Sequence, residues 1–506
     1  MKSRKELDYF STFVPLGIIL ALCAMFVASP TRAKQVVDGI RYFINDRIGV
    51  YYILAGLAGL LCSIYMAFSR FGNIRLGNTD KPEYSTFKWG AMIFTSTMAA
   101  DILFYSLCEW ALYASESHIE NMGGIQVWAP TYPLFHWGPI AWSFYIILAV
   151  AFGFMLHIRN RTQQKFSEAC RPLLGDRVDG TLGRIINLIA IISLLARTAT
   201  TFSLATPLLS AAICQMTGLS QTAGLTILIL ISIAVVYTLT VLFGMKGISK
   251  LAAICSYLFF VLLAYIFLLG GETVYIIETG VSALGNLVQN FTGMSTWMDP
   301  LRENSFPQNW TVFYWAYWMV WCVATPFFIG KISKGRTIKN VVLGGYGCGI
   351  AGTYLSFIIL GNYGLAQQVR HGLDISGEIA SSGNIPQAIL HVLDTLPAPT
   401  LVITLLALTM VAFYSTTFDA LTLVISSYSH KMLPNGQEPD KRLRVFWAIV
   451  FIILPIGLIF SENTLGGLQS VSIIAAFPIG FIIFLVIASF FKDAKHYLDK
   501  EKQDHG

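Results

Sequence analysis

Two groups of aromatic side chains mark where this chain could bind a ligand. The stretch LFHWGPIAW (residues 134–142) contains Trp137 and Trp142, and Tyr145 follows within one helical turn. A second stretch, NWTVFYWAYWMVW (residues 309–321), repeats aromatic residues at helical spacing, so several rings share one helix face. These residues are Trp310, Tyr314, Tyr317, Trp318 and Trp321. Such a stripe alone is also typical of helix packing or of the aromatic belt at a membrane surface.

Aromatic faces that converge from two helices attract a large, weakly hydrated cation. The faces carry the negative part of the ring quadrupole, and a quaternary ammonium group is a cation of this kind. Each desolvated contact contributes about 2 kcal/mol, so three rings supply ~6 kcal/mol, which corresponds to binding in the tens of micromolar range. We therefore predict a site for a small quaternary ammonium compound.

Three charged side chains fall inside apolar segments. Asp101 and Glu109 lie in WGAMIFTSTMAADILFYSLCEWALY (residues 89–113), and Arg197 lies in LLARTATTFSLATP (residues 194–207). Each charge costs about 2.5 to 3.5 kcal/mol at mid-depth in a membrane, so it must be paired, carry a proton or meet water. Asp101 and Arg197 either form a structural salt bridge or set charge preference and ion coupling. We expect Glu109 to brace neighbouring helices and His136 to cap its helix.

Two adjacent hydroxyl groups are candidate ligands for a sodium ion. Thr416 and Thr417 lie in AFYSTTFDA (residues 412–420), and hard cations prefer oxygen ligands. Hydroxyl groups in membrane helices also hydrogen-bond to carbonyl groups of their own helix, so both interpretations stay open. The eight cysteines include no C-x-x-C pair, and we predict no zinc site, disulfide framework or organic cofactor.

Long apolar runs must position these residues. Charged residues make up 12% of the 506 and apolar residues 55%, whereas about a quarter of a soluble protein is charged. Twelve runs of about 20 apolar residues predict an all-α integral membrane protein with twelve transmembrane helices. The runs centre near Leu20, Leu60, Leu103, Leu148, Leu195, Ala234, Phe260, Met319, Phe357, Leu406, Phe451 and Phe484.

The distribution of basic residues predicts the orientation. With the N-terminus in the cytoplasm, the inner segments hold 27 of the 34 Lys and Arg residues and the outer loops six. This bias obeys the positive-inside rule, and it predicts a multi-pass protein of the cytoplasmic (inner) membrane with both termini inside. The net charge of +6 then indicates contact with anionic membrane lipid and requires no nucleic acid.

Proline and glycine interrupt both aromatic stretches. Gly138 and Pro139 follow Trp137, and Pro326 follows Trp321 in WCVATPFF (residues 321–328). Proline removes a helical hydrogen bond, and irregular backbone at membrane depth is tolerated where protein or a cavity satisfies it. Broken helices often mark the binding site of a transporter, although a simple packing kink is the alternative.

These residues together resemble the betaine/carnitine/choline transporter family. The likeness runs from GNIRLGNTDKPEYSTFKW (residues 72–89) to FKDAKHY (residues 491–497), and its most specific pieces are LFHWGPIAW, FPQNWTVFYWAYWMVW and KISKGRT. The resemblance implies a LeuT-like fold with two inverted five-helix repeats, usually in a homotrimer. The expected regions are 1–70 (two peripheral helices), 71–272 (first repeat), 273–309 (amphipathic surface helix and outer loop), 310–491 (second repeat) and 492–506 (cytoplasmic tail).

By the same resemblance, an aromatic box binds the substrate. It consists of Trp137, Trp142, Tyr145 and Trp318, with Tyr317 and Trp321 beside it. Trp310 and Tyr314 match positions nearer the path by which substrate enters.

The chain departs from the family pattern where ions couple to transport. TSTMAADILF (residues 95–104) places Asp101 where sodium-coupled betaine transporters have the last glycine of an unwound stretch, as in the proton-coupled choline branch. In its other motifs the chain is most similar to the carnitine/γ-butyrobetaine antiporters. Those antiporters have an arginine and a methionine at the two ion positions. By motif alignment these positions are Cys255 and Thr325 here, so neither residue is present.

The coupling ion therefore stays open between Na⁺, H⁺ and none. Thr416 and Thr417, with Phe413 beside them, resemble the hydroxyl groups of a sodium site. Arg197 has no counterpart in the family pattern.

The sequence thus predicts a secondary active transporter of choline, carnitine or betaine type compounds that works by alternating access, and it predicts no enzyme. One alternative is a precursor/product exchanger of carnitine-like zwitterions without ion coupling. Another is an osmotic or nutrient sensor with residual transport. A channel would need a continuous polar stripe, and a membrane enzyme would need a nucleophile with a base; the spans show neither.

Overall fold

The computed structural model describes residues 6–79, 81–96, 98–161, 163–243, 245–433, 437–460 and 465–505. Side chains are described in these ranges except at 240–243, 245–252, 459–460, 465–468 and 504–505. The described residues form helices and connecting loops, with two isolated β-bridges, Leu7 to His430 and Arg75 to Thr337. The predicted all-α class is confirmed.

Long helices make up the bulk of the chain. Short helical segments join them at Arg70–Asn73, Ser117–Asn121, Ile125–Trp128, Thr131–His136, Phe166–Ala169, Arg171–Leu174, Gly175–Asp179, Pro307–Thr311 and Phe357–Gly361. The longer helices are Tyr9–Ala28, Pro30–Ile48, Val50–Phe68, Thr86–Thr95, Ala100–Ala114, Pro139–His157, Thr181–Thr217, Ala223–Phe243, Met245–Leu269, Thr273–Thr296, Val312–Trp321, Thr325–Ile332, Ile338–Ser356, Asn362–His371, Ile375–Ser382, Ile385–Asp394, Pro399–Tyr428, Lys441–Phe460 and Leu465–His505.

The apolar helices are suited to a membrane. Within the described residues, seven are long and apolar enough to cross it, or up to ten if each of three bent pairs is one span. A shorter apolar helix covers Ala223–Leu239. A helical segment lies at every one of the twelve predicted centres. The protein is therefore a multi-pass membrane protein, and the number of twelve crossings stays a prediction.

Three segments outside the predicted spans are helical. Pro30–Ile48 forms a helix between the first two spans, with proline in its first turn, where a missing N–H costs nothing. Thr273–Thr296 turns by 108° from Ala253–Leu269, as expected of a helix that lies along a membrane surface. The tail continues the last helix to His505.

Broken helices occur at the start of each predicted repeat. Thr86–Thr95 and Ala100–Ala114 meet at 67°, and Pro307–Trp321 and Thr325–Ile332 meet at 56°. A further break falls at Gly138, between Thr131–His136 and Pro139–His157. The breaks predicted from Gly138, Pro139 and Pro326 are therefore confirmed, and all three breaks lie beside the residues of the predicted site.

Two of these elements touch backbone to backbone. A methyl group on Gly330 would lie 2.7 Å from the Ala149 carbonyl oxygen and 2.8 Å from the Gly153 nitrogen. Phe152 and Phe327 stack across the same contact with ring centroids 3.6 Å apart. This contact fixes the helix that carries Trp142 and Tyr145 against the segment that follows Trp321.

We expect Gly330→Ala to destabilise the protein by about 1 to 3 kcal/mol, because the added methyl group overpacks a contact between backbones. The thermal unfolding midpoint of the purified protein should fall by several degrees. Gly293→Ala is the matched control, since a methyl group there meets no atom within 4 Å. Equal midpoints for the two variants would show that the Gly330 contact is loose.

Candidate functional site: an aromatic box beside Asp101

The backbone break at Gly138 separates Trp137 from Trp142 and Tyr145, and all three rings contact Trp318. Pro139 occupies the first turn of the following helix, where its missing N–H and fixed φ are favourable. A methyl group on Gly138 would lie 2.4 Å from the Leu134 carbonyl oxygen, so only glycine fits this turn. The three rings therefore lie close together although a helix ends and another begins between them.

The rings of the predicted aromatic box meet at Trp318. Its ring centroid lies 5.6 Å from Trp137, 5.6 Å from Trp142 and 4.8 Å from Tyr145. The interplanar angles are 56° to 69°, which is the tilted or edge-to-face geometry that aromatic pairs prefer. All four side chains are buried. The structure therefore brings together the four residues of the box.

A narrow cavity adjoins these rings. Its free volume is about 10 Å³, roughly the room that one water molecule needs and far below that of a ligand pocket. The ring contacts around Trp318 leave little room inside it, so a bulky ligand requires the rings to separate. The lining residues are Ser96, Ile102, Trp142, Tyr145, Tyr317, Trp318 and Trp321.

Asp101 lies at the start of the helix Ala100–Ala114 and touches the same group of residues. Its Oδ2 accepts a hydrogen bond from the Tyr317 hydroxyl, whereas Oδ1 is buried without a hydrogen-bond partner among the described residues. The position in the first helical turn favours a negative charge. Asp101 therefore places a carboxylate one side chain away from the aromatic box.

Arg197 binds an aromatic face instead of a carboxylate. Its guanidinium carbon lies 3.5 Å from the ring centroid of Trp321, and the side chain is buried. Within the described residues, Asp101 and Arg197 form no direct ion pair, so the structural salt bridge considered above is absent. The Arg197 guanidinium thus covers one face of the Trp321 ring, which is predicted to lie beside the substrate.

The hydroxyl pair lies on an unbroken helix, Pro399–Tyr428. The Thr416 hydroxyl donates to the Phe413 carbonyl oxygen at 3.0 Å, and Cys255 faces Thr416 from a neighbouring helix. Thr417 is buried. A hydroxyl that donates its proton keeps its lone pairs, so the Thr416 oxygen can still ligate a cation. The sodium site at Thr416 and Thr417 therefore stays a prediction.

Trp310 and Tyr314 extend the aromatic row toward the predicted outer surface. Trp310 Nε1 donates to Glu116 Oε1 at 2.6 Å, and its ring lies 6.5 Å from that of Tyr314. Burial raises the pKa of Glu116, and the Trp310 N–H partly offsets this. Tyr314 in turn stacks on His136 at 4.7 Å.

Two rings beside Trp137 were not predicted from the sequence, and the contacts of His136 differ from those predicted. Tyr105 lies 5.9 Å from Trp137, and Phe357 lies 5.1 Å from it. Neither belongs to an aromatic stripe, so spacing gave no signal for them. The predicted helix cap at His136 is wrong, because its ring nitrogens bond to the side chains of Tyr113 and Thr311.

The family model for the betaine/carnitine/choline (BCCT) transporters matches residues 11–499, nearly the whole chain. The chain belongs to this family. It is accordingly a membrane transporter, with a small-molecule substrate and a lipid environment. A solved structure of a Na⁺-coupled sialic acid symporter, in a substrate-bound outward-open state, is 15% identical, with 88% of this chain and 86% of that chain covered. Its TM-score is 0.44, which supports no inference about this chain.

In this BCCT family transporter, a glycine holds one ring of the box. Gly349 lies on the helix Ile338–Ser356, and a methyl group there would lie 2.5 Å from the ring atoms Cη2 and Cζ3 of Trp142. Real side chains do not tolerate such a distance, so the indole rests directly on the helix backbone. The position of Trp142 therefore depends on the absence of a side chain at residue 349.

We expect Gly349→Ala to reduce uptake severalfold, because the methyl group displaces the Trp142 ring. Uptake of radiolabelled betaine, carnitine or choline, the compounds that name the family, measures the effect in proteoliposomes. Gly347→Ala on the same helix is the control, since a methyl group there meets nothing within 4 Å. Unchanged uptake by Gly349→Ala would show that the ring position is unimportant.

Proposed function

We propose that this transporter carries quaternary ammonium compounds of the choline, carnitine or betaine type by alternating access, as a secondary active transporter. The observation that supports this proposal most directly is the meeting of the four buried rings at Trp318. Ring faces attract a methylated ammonium group without a salt bridge, and such a group is too large for an ordinary ion-pair site.

The charges beside the box bear on the kind of substrate. The Asp101 Oδ1, which has no hydrogen-bond partner in the part of the chain that the structure describes, adds a negative group near the rings and favours a cationic head group. Arg197 provides a positive group beside Trp321, where a carboxylate of a zwitterion could be neutralised. This arrangement suits a substrate that has a trimethylammonium group, which binds at the box, and a short polar or anionic tail.

Binding requires the rings to move. Trp318 touches Trp137, Trp142 and Tyr145, so an ammonium group enters only when Trp318 withdraws from them. The helix that carries Trp318 ends at Trp321, and a bend of 56° separates it from Thr325–Ile332. A break of this kind lets a short helix rotate without unfolding. Opening toward one side and then the other is the alternating access of the proposal.

The coupling ion in this proposal is Na⁺ or H⁺. Asp101 can carry a proton, because it is buried in the site and bonded to Tyr317. The hydroxyl oxygens of Thr416 and Thr417, with Phe413 beside them, are the candidate sodium ligands.

An exchanger without ion coupling is the second candidate, and Arg197 favours it. A fixed internal cation beside Trp321 already supplies a positive charge in the substrate region. Such a charge removes the need for a bound cation when the substrate is a zwitterion. Counterflow of labelled carnitine in the absence of any ion gradient distinguishes this candidate from symport.

The proposal includes placement in the cytoplasmic (inner) membrane, with both termini inside, as a homotrimer. The excess of basic residues in the predicted inner segments supports the orientation. Membership of the family supports the trimer.

Replacing Trp318 with alanine tests the proposed substrate site. Loss of one desolvated cation–π contact costs about 2 kcal/mol, so Trp318→Ala should weaken substrate affinity by roughly thirtyfold. Uptake of labelled choline, carnitine and glycine betaine in proteoliposomes, with sodium and pH gradients imposed separately, provides the affinity.

Trp318→Phe serves as the control, because it keeps an aromatic face and should lose much less affinity. An unchanged affinity in Trp318→Ala would refute the role of the box. Accumulation that follows only one of the two gradients identifies the coupling ion.

A further inference from the structure

A chain of buried hydrogen bonds leads from the aromatic box toward the predicted outer surface. Glu109 accepts at Oε2 from Trp137 Nε1 at 2.8 Å and pairs at Oε1 with the Tyr113 hydroxyl at 2.6 Å. The same hydroxyl lies 2.6 Å from His136 Nδ1, and His136 Nε2 lies 3.1 Å from the Thr311 hydroxyl. All five side chains are buried. These hydrogen bonds join Trp137, a ring of the box, to an unbroken row of groups that exchange protons: Glu109, Tyr113, His136 and Thr311.

When Glu109 is ionised, every hydrogen bond of this row can form. Tyr113 then donates to Oε1, and Trp137 donates to Oε2. His136 carries its proton on Nδ1 and donates to the Tyr113 oxygen, while its Nε2 accepts from Thr311. Every donor and acceptor in the row has a partner in this arrangement.

The row is equally complete when Glu109 is protonated. Oε1 then donates to the Tyr113 oxygen, Tyr113 donates to His136 Nδ1, and His136 Nε2 donates to the Thr311 oxygen. Trp137 donates to Oε2 as before. The two arrangements differ by one proton, which is added at His136 Nε2. That nitrogen gains the proton, Nδ1 releases one to Tyr113, and Tyr113 releases one to Glu109.

Among the described residues, no Lys or Arg side chain forms an ion pair with Glu109, and Arg197 lies against the Trp321 ring instead. The packed segment Phe357–Gly361 contains no titratable side chain. A carboxylate at this depth must be held by donors or carry a proton. The titratable groups that face it are Tyr105, Cys108 and Tyr113 on its own helix, His136, and Tyr314, whose hydroxyl lies close without a bond.

The far end of the row lies near groups that reach water. Thr311 ends the π-helical segment Pro307–Thr311, and such segments are frequent at functional sites. The preceding residue, Trp310, bonds to Glu116, which is partly exposed beyond the end of the helix Ala100–Ala114. The outer end of the row therefore lies one residue from a side chain that bonds to a partly exposed carboxylate.

We propose that Glu109 is a proton-binding site, loaded from the predicted outer side through His136 and Tyr113. Its protonation alters the box, because the Trp137 N–H bonds to a charged oxygen in one state and to a neutral one in the other. Charge-assisted hydrogen bonds are roughly twice as strong as neutral ones. Trp137 is held more firmly when Glu109 is ionised and is freer to follow Trp318 when Glu109 is protonated.

This site is distinct from Asp101. Asp101 bonds to Tyr317 and lies two helical turns away along the same helix. The proposal also does not depend on the identity of the substrate. A transporter with a different substrate could use the same proton site.

Infrared spectroscopy of the purified full-length protein, without substrate, tests the proposal. Acidifying the sample from about pH 9 to about pH 5 should produce a C=O band of a buried protonated carboxyl group in the wild type. Glu109→Gln should remove a component of this band, whereas Asp101→Asn, the control for the buried carboxyl group beside the box, should retain that component. A band of unchanged intensity in Glu109→Gln, or no such band in the wild type, would overturn the proposal.

A second variant covers the case in which Glu109→Gln fails to fold. Trp137→Phe removes the donor to Oε2, and a carbonyl that loses a hydrogen bond absorbs at higher frequency. We expect the band in Trp137→Phe to shift upward. An unshifted band would show that the protonated group is not Glu109. Because no substrate is used, failure of the aromatic box as a substrate site leaves this result intact.

Discussion

The contact of Trp318 with the rings of Trp137, Trp142 and Tyr145 is the interaction on which the site depends. An edge-to-face pair contributes about 0.5 to 1.5 kcal/mol beyond the burial of its surface. A desolvated contact between a ring and an ammonium group contributes about 2 kcal/mol. These energies are similar, so a cation can replace ring contacts without a large net cost. In the proposed function, the rings that contact one another in this structure separate to surround a methylated nitrogen.

The remaining structure holds these rings in place while leaving them able to separate. The backbone at Gly349 supports the Trp142 ring. Gly330, on the helix Thr325–Ile332, packs directly against Gly153 on the helix that carries Trp142. The breaks at Gly138 and after Trp321 free backbone groups that only a protein interior or a cavity can satisfy. Rigid support therefore reaches Trp142 and Tyr145, whereas Trp318 lies on a short helix bounded by a bend. The proposed function therefore assigns the movement to Trp318.

The sequence predicts those parts of the site that follow from spacing and from glycine or proline. Trp137, Trp142, Tyr145 and Trp318 are recognisable because aromatic residues recur at helical intervals on two helices. The breaks at Gly138 and Pro326 follow from backbone chemistry. The break before Ala100 contains neither glycine nor proline, so the chain gives no local signal for it.

Features set by how helices rotate against each other escape such reasoning. Arg197 could reach Asp101 or Trp321, and only packing decides that it stacks on Trp321. His136 could cap its helix, yet the neighbouring Tyr113 and Thr311 take both ring nitrogens. Tyr105 and Phe357 join the aromatic group from segments without an aromatic pattern. A long side chain offers several partners, and tertiary contacts select one.

The central claim is that the rings recognise positive charge and not merely an apolar shape. Competition between choline and its neutral carbon isostere, 3,3-dimethylbutanol, for the wild-type transporter measures this directly, because the two molecules differ in the nitrogen alone. We expect choline to bind at least about tenfold more tightly, the equivalent of about 1.4 kcal/mol. Equal affinity for the two compounds would contradict it.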